Sequence, residues 1–237
     1  MPHYQPPLRD MQFVMNEVFD LPNKWRELPA HAELDSDTVS AVLEEGGKFA
    51  AEVIFPINIS GDEEGCTLDK ATHEVTTPKG FKEAYKQYVE GGWPALSCDP
   101  TYGGHGLPHT VNQFFYEMLN SANQAWTMYP GLSHGAYEAL HAHGTDEQKQ
   151  TYLPKLTSGA VGAFSLSEPG SGSDASALTT TARLEGDHYI LNGEKNWVTN
   201  GRHTWTYLVL ARTGGPGPKG ISAFIVERNF PGLTVGK

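Results

Sequence analysis

What this sequence has little of narrows its chemistry first. Cysteine occurs twice in 237 residues, at Cys66 and Cys98, with neither metal-ligand nor CxxC spacing. That is too few for a disulfide framework, and the pair reads as bland thiols of a reducing compartment. Basic residues are also scarce: 17 Lys and Arg against 28 Asp and Glu leave a formal charge of −11, with no basic run. Binding a nucleic-acid backbone depends on clustered cations that displace counterions, so no nucleic-acid partner is expected. No segment is a long uninterrupted apolar run, and the first ten residues carry three prolines and two charges where a secretory leader needs apolar residues. A cytoplasmic protein with no membrane span is therefore the expectation. No Gly-Lys-Ser/Thr follows a glycine-rich loop, and no GxGxxG opens a βαβ unit, which sets aside P-loop and dinucleotide folds.

The chain has length enough for a core that needs no metal or disulfide staple. Its first two thirds carry helical periodicity. Val111, Phe114, Phe115, Met118, Leu119 and Ala122 make one face of a helix entered just after Pro108. Phe81, Ala84, Tyr85, Tyr88 and Val89 make a second, with Thr77 as its expected N-cap and Pro78 as its first residue. Val39, Val42, Leu43, Phe49 and Val53 make a third that should end at Pro56, weakened in the middle by Gly46 and Gly47. Thr145 to Gln148 has the form of a capping box, and Gly144 should end the preceding helix at His143. His134 and His141 lie seven apart on one helix face and His143 points elsewhere, so these histidines read as helix packing and capping, with no metal site assigned.

After about Gly159 the texture changes to short β-branched and aromatic segments between turn residues. Strands are expected at 161–167, 178–184, 188–192, 206–211 and 221–227, with Glu185-Gly186-Asp187 closing a hairpin. The economical fold class is α+β, in which an all-α helical domain at 36–158, preceded by an extension at 1–35, leads into an antiparallel β domain at 159–237.

The stretch from Phe164 to Asp174 runs an expected strand into a loop of serines and glycines, Ser167-Glu168-Pro169-Gly170-Ser171-Gly172-Ser173. Such a loop can turn several backbone N–H groups and hydroxyls toward one point, as an anionic diphosphate requires, although a Ser/Gly turn taken alone is more often a plain surface connection. About thirty residues on, Lys195-Asn196-Trp197-Val198-Thr199-Asn200 places a tryptophan and a threonine two residues apart. On an extended chain they would share a face, a flat apolar surface beside a hydroxyl.

Together the two stretches resemble the acyl-CoA dehydrogenase family. Leu166-Ser167-Glu168, Gly172-Ser173-Asp174 and Ala177 match its signature, with Ser165 where Gly, Ala or Cys is usual, and the second stretch is similar to its Lys-x-Trp-Ile-Thr-Asn segment. Gly91 to Pro94, Gly144 to Lys149 and Lys219 to Phe224 extend the resemblance from about residue 36 to the end. Arg9 to Met11, Gly61 to Cys66 and Met128 to Leu132 look like the subgroup acting on 3-methylmercaptopropionyl-CoA, whereas Ser167 to Asp174 look like the short- and medium-chain branch.

The resemblance implies FAD as cofactor and α,β-dehydrogenation of an acyl-CoA, with electrons passed to an electron-transferring flavoprotein by a homo-oligomer, and it makes the β domain at 159–237 an incomplete antiparallel β-barrel-like domain. It places Phe164, Leu166 and Ser167 along the flavin ring, Trp197 with Val198 against its face and Thr199 at its polar edge. Gly172 and Ser173 go to the diphosphate, and Ser173 also to the bound acyl-CoA. In the family the catalytic base is a glutamate in a helical domain after the β domain; the chain ends at Lys237, so no catalytic residue is assigned, and Glu168 is given a loop-capping role. An acyl-CoA oxidase-like enzyme using oxygen, or an inactive fragment that needs a partner chain, are the other readings.

Overall fold

The computed structural model describes residues 3–72 and 74–236; Met1 and Pro2 of the expected extension and Lys237 of the expected β domain lie outside them. The chain divides into two compact units, Met1–Met128 with Thr157–Gly159, and Tyr129–Leu156 with Ala160–Lys237. Among the described residues no helix is long and apolar enough to cross a membrane.

The first unit is helical: α1 (Leu8–Phe13), α2 (Leu21–Arg26), α3 (Ser36–Phe49), α4 (Pro56–Glu64), a minimal ribbon of β1 (Thr67–Leu68) and β2 (Val75–Thr76), α5 (Phe81–Glu90) and the opening of α6 (His109–His143). Asp35 caps α3 by accepting from the Thr38 N–H at 2.7 Å. The expected stripe of α6 is the centre of the core, with Val111, Phe115, Met118 and Leu119 fully buried. Trp126 is buried among them and its indole N–H reaches the Phe81 carbonyl at 3.1 Å. The helix is broken at Asn123, whose φ of −163° is extended. The Asn123 side chain accepts from the Trp126 N–H at 3.0 Å, so it works as an N-cap inside what would otherwise be one long helix.

Three expectations fail here for identifiable reasons. The α3 stripe does not end at Pro56. A π-helical turn at Ala50–Ile54 continues it, with the Phe55 N–H bonded to the Ala50 carbonyl, and this wider turn accommodates a proline ring that would clash with the carbonyl four residues back. Helix α5 starts at Phe81 instead of Pro78, because Gly80 adopts a left-handed φ of 90°, and Thr77 caps nothing. Gly46 is not a weak point: a Cβ there would lie 2.7 Å from the Phe115 ring, so its bareness admits the core aromatic.

The second unit carries the end of α6, then α7 (Asp146–Thr157), β3 (Gly162–Ser165), β4 (Thr181–Glu185), β5 (His188–Asn192), β6 (Thr206–Arg212) and β7 (Ile221–Glu227). The capping box at the head of α7 forms as expected: the Thr145 N–H donates to Gln148 Oε1 at 2.9 Å, and the Gln148 N–H to Thr145 Oγ1 at 3.3 Å. Helix α7 rests on the sheet through the Tyr152 hydroxyl, which donates to Glu227 at 3.0 Å, and through Lys155, 4.0 Å above the Trp205 ring.

The sheet is mixed instead of purely antiparallel, and among the described residues it does not close into a barrel. Strands β4 and β5 pair through the hairpin expected at Glu185-Gly186-Asp187, with Glu185 drawn into the ladder opposite His188 so that two residues turn the chain and Gly186 supplies a φ of 65°. Strand β6 is the spine: β7 lies antiparallel along one edge, while β3 and then β4 pair in parallel with successive parts of β6. Parallel pairing follows from the long excursion between β3 and β6, which returns the chain to the same end of the sheet.

Replacing Gly46 with alanine should cost stability despite the gain in helix propensity. A loss of about 1–3 kcal/mol in chemical denaturation is expected from overpacking Phe115; a more stable variant would show that the contact yields freely.

Candidate functional site

The site is built in the second unit from the loop after β3 and the loop after β5. Strand β3 stops at Ser165, two residues short of expectation, because the next carbonyls are spent elsewhere. The Leu166 carbonyl accepts from Lys195 Nζ at 3.0 Å and the Ser167 carbonyl from the Asn196 N–H at 2.8 Å. Glu168 and Ser171 exchange backbone hydrogen bonds at 2.8 and 3.1 Å across a tight turn, in which Pro169 supplies the fixed φ. Beyond it the Ser171 hydroxyl donates to the Asp174 carbonyl at 2.8 Å, and Asp174 caps the following turn at Ser176.

Glu168 lies inside this turn with only 3% of its side chain exposed. Its carboxylate accepts from the Thr179 N–H at 2.6 Å, the Thr179 hydroxyl at 2.8 Å, the Thr180 N–H at 3.0 Å and Lys195 Nζ at 2.7 Å. This explains why β4 begins at Thr181 and not at Leu178: the amides of Thr179 and Thr180 belong to the carboxylate and not to a ladder. Burial alone would raise the Glu168 carboxyl, but the Lys195 ammonium and the donors of Thr180 and Thr179 outweigh it and hold it well below the usual carboxylate range.

The expected site residues fall into two groups. Phe164 is half-buried on β3 opposite Leu208, and Leu166 and Ser167 follow it, half-buried, in the segment bound to Lys195 and Asn196. Trp197 comes directly after Asn196, so the structure joins these two stretches by their backbones. Gly172 and Ser173 are exposed beyond the Glu168–Ser171 turn. A Cβ at Gly170 or Gly172 would meet nothing within 4 Å. Among the described residues the N–H groups of Gly170, Gly172 and Ser173 have no acceptor. Unspent donors facing open space are what a diphosphate uses.

The Trp-x-Thr stretch is not the extended chain on which its two side chains would share a face. Residues 193–201 are irregular, and Trp197 takes a left-handed φ of 57° with 92% of its surface exposed. Alternation therefore does not govern where Trp197 and Thr199 point. The anchors decide the path: Lys195 and Asn196 on one side, and on the other Asn200, also left-handed at φ 66°, whose Nδ2 donates to the Tyr129 carbonyl at 2.9 Å. Val198 and Thr199 are half-buried between them. The sequence alone does not single out Lys195, Thr179 and Thr180 as the partners of Glu168, and the one signal it offers is the glutamate itself, which if buried in a tight turn needs donors or a cation from elsewhere in the chain.

An exposed indole, next to an Asn196 that is bonded to the root of a loop with unspent amides, offers a surface for a flat ring and donors for an anionic diphosphate. Comparison with known proteins agrees with that chemistry. The profile of the acyl-CoA dehydrogenase N-terminal domain matches residues 36–160 and that of the acyl-CoA dehydrogenase middle domain residues 163–237, so the chain belongs to the acyl-CoA dehydrogenase family. It is 38% identical over 237 residues to 3-methylmercaptopropionyl-CoA dehydrogenase of Ruegeria pomeroyi, covering 97% of this chain and 40% of that protein. Among solved structures, butyryl-CoA dehydrogenase of Megasphaera elsdenii matches with a TM-score of 0.73 at 28% identity over 86% of this chain and 51% of the other. An acyl-CoA dehydrogenase of Bacillus anthracis in complex with FAD matches with a TM-score of 0.69 at 28% identity, covering 86% of this chain and 33% of that one. The chain thus spans about 40% of its curated relative.

Two measurements follow. Trp197→Asn should stabilise the chain by about 1 kcal/mol in urea, since asparagine tolerates the left-handed region and the exposed indole packs on little. A carboxyl held below its ordinary range adds stability that is present above the unfolded value and is lost as pH falls through the folded one. The advantage of wild type over Glu168→Gln in urea midpoints should therefore be full at neutral pH and shrink in acid; an advantage indifferent to pH would exclude the ion pair as its source.

Proposed function

We propose that the chain is the front portion of an FAD-dependent acyl-CoA dehydrogenase, carrying much of the cofactor cradle. The carrying observation is the exposed, conformationally forced Trp197 tied by Lys195 and Asn196 to a loop whose amides at Gly170, Gly172 and Ser173 are unspent. Phe164, Leu166, Ser167, Trp197, Val198 and Thr199 would hold the isoalloxazine, Gly172 and Ser173 the diphosphate, and Ser173 the acyl-CoA as well. The reading is supported by the family membership of both matched segments and by the relative that is in complex with FAD.

The reaction is removal of an α-proton and a β-hydride from an acyl-CoA thioester. FAD supplies the hydride acceptor; the protein places it and excludes water. The α-proton next to a thioester is weakly acidic, so its removal needs a base of raised affinity in a dry pocket. Glu168 is the opposite, a carboxylate held ionised by Lys195 and the threonine donors. It is a poor proton acceptor, and the base is proposed to come from a helical segment following the β part. Electrons would pass to an electron-transferring flavoprotein, and the complete enzyme is read as a cytoplasmic homo-oligomer; Cys66 and Cys98 of this chain, which form no disulfide with each other, suit that compartment.

The test is titration of the chain with FAD, followed by quenching of flavin fluorescence. Saturable binding is expected, weakened roughly tenfold by Trp197→Ala, as befits loss of one aromatic stacking surface. A folded chain that leaves FAD fluorescence unchanged at any concentration overturns the reading.

A further inference from the structure

Glu168 and Lys195 expose only 3% and 9% of their side chains, yet they sit among exposed loops. A buried pair of this kind is seldom a net source of stability, since its desolvation offsets its attraction. What it does supply is geometry, because every donor must meet its acceptor. All partners of this pair lie at the roots of loops: the Leu166 carbonyl at the exit of β3, Thr179 and Thr180 at the entry to β4, and Lys195 itself two residues before Trp197.

Trp197 gives the second observation. A bulky residue keeps a left-handed backbone only where its surroundings over-determine it. Asn200 and Thr204 fix the far side of its loop, the latter by donating to the Val161 carbonyl at 2.8 Å. The near side is fixed by the Asn196 amide and by Lys195, whose ammonium bridges the Leu166 carbonyl and the Glu168 carboxylate. Gly193 packs closely on Thr180 at the end of β5, but among the described residues the only hydrogen bonds made by residues 193–197 are the Asn196 amide and the Lys195 bridge, so loss of the bridge frees Trp197 to relax to negative φ, swinging its ring.

We propose that Lys195 and Glu168 are positioning residues that set the spacing between the Ser/Gly loop and Trp197, so that a flavin finds both surfaces already in place. This rests on the FAD reading above. Neither residue touches the cofactor in this account; each acts through the backbone it holds.

The test compares wild type, Lys195→Met and Lys195→Arg by amide hydrogen exchange without cofactor and by FAD titration. Lys195→Met is expected to lose protection at Asn196 while the amides of β6 keep theirs, and to bind FAD roughly tenfold or more weakly, the factor of one lost charge-assisted hydrogen bond. Lys195→Arg keeps a cation with several donors and should restore most of both. Three results overturn the proposal. The first is exchange that rises equally across β6, which makes the pair a general stabiliser. The second is lost protection at Asn196 with wild-type FAD affinity. The third is retained protection at Asn196 in Lys195→Met. A folded wild type that binds no FAD sinks the cofactor reading, and the positioning role with it; the second and third results sink the positioning role alone.

Discussion

The second unit depends on one requirement: a carboxylate buried in a turn must be given donors from wherever the chain can bring them. Glu168 draws two amides and a hydroxyl from the residues before β4, and an ammonium from beyond β5. Satisfying it shortens β3, delays β4 and pulls the tryptophan loop against the serine loop. The sheet supplies a rigid spine in β6, but the arrangement of the loops above it is decided by hydrogen-bond bookkeeping around a single side chain.

In the first unit the same logic operates through shape. Phe115 occupies the space left by Gly46, and Asn123 substitutes its own side chain for the backbone acceptor that its extended conformation removes. Both devices let helices come close or change direction without leaving a buried polar group unpaired, and both depend on a particular small or polar residue at one position.

These cases also show what was legible beforehand. The α6 stripe, the Thr145 capping box and the Gly186 hairpin were readable because each is a local pattern whose physics lies within a few residues. The Trp197 segment was misread as extended because alternation is a prior about isolated chain, and anchors at Ser167 and Tyr129, far away in sequence, override it. Gly46 was misread as a weakness for a similar reason: propensity sees the helix alone, whereas its partner ring lies about seventy residues on. The serine loop and the tryptophan motif were legible in composition, and their junction through Lys195 was not, since no single-sequence signal tells which lysine answers a buried glutamate.

The arrangement of partners around β6 bears on the order in which the chain acquires its form. The β6–β7 pair closes over a short connection, whereas β3 must wait for about forty intervening residues to return before it can align beside β6, and closing the longer loop costs more chain entropy. The step with the longer closure is the one that brings the serine loop to its place, so in a chain refolding from the unfolded state the β6–β7 pairing is expected to precede the juxtaposition of the two loops.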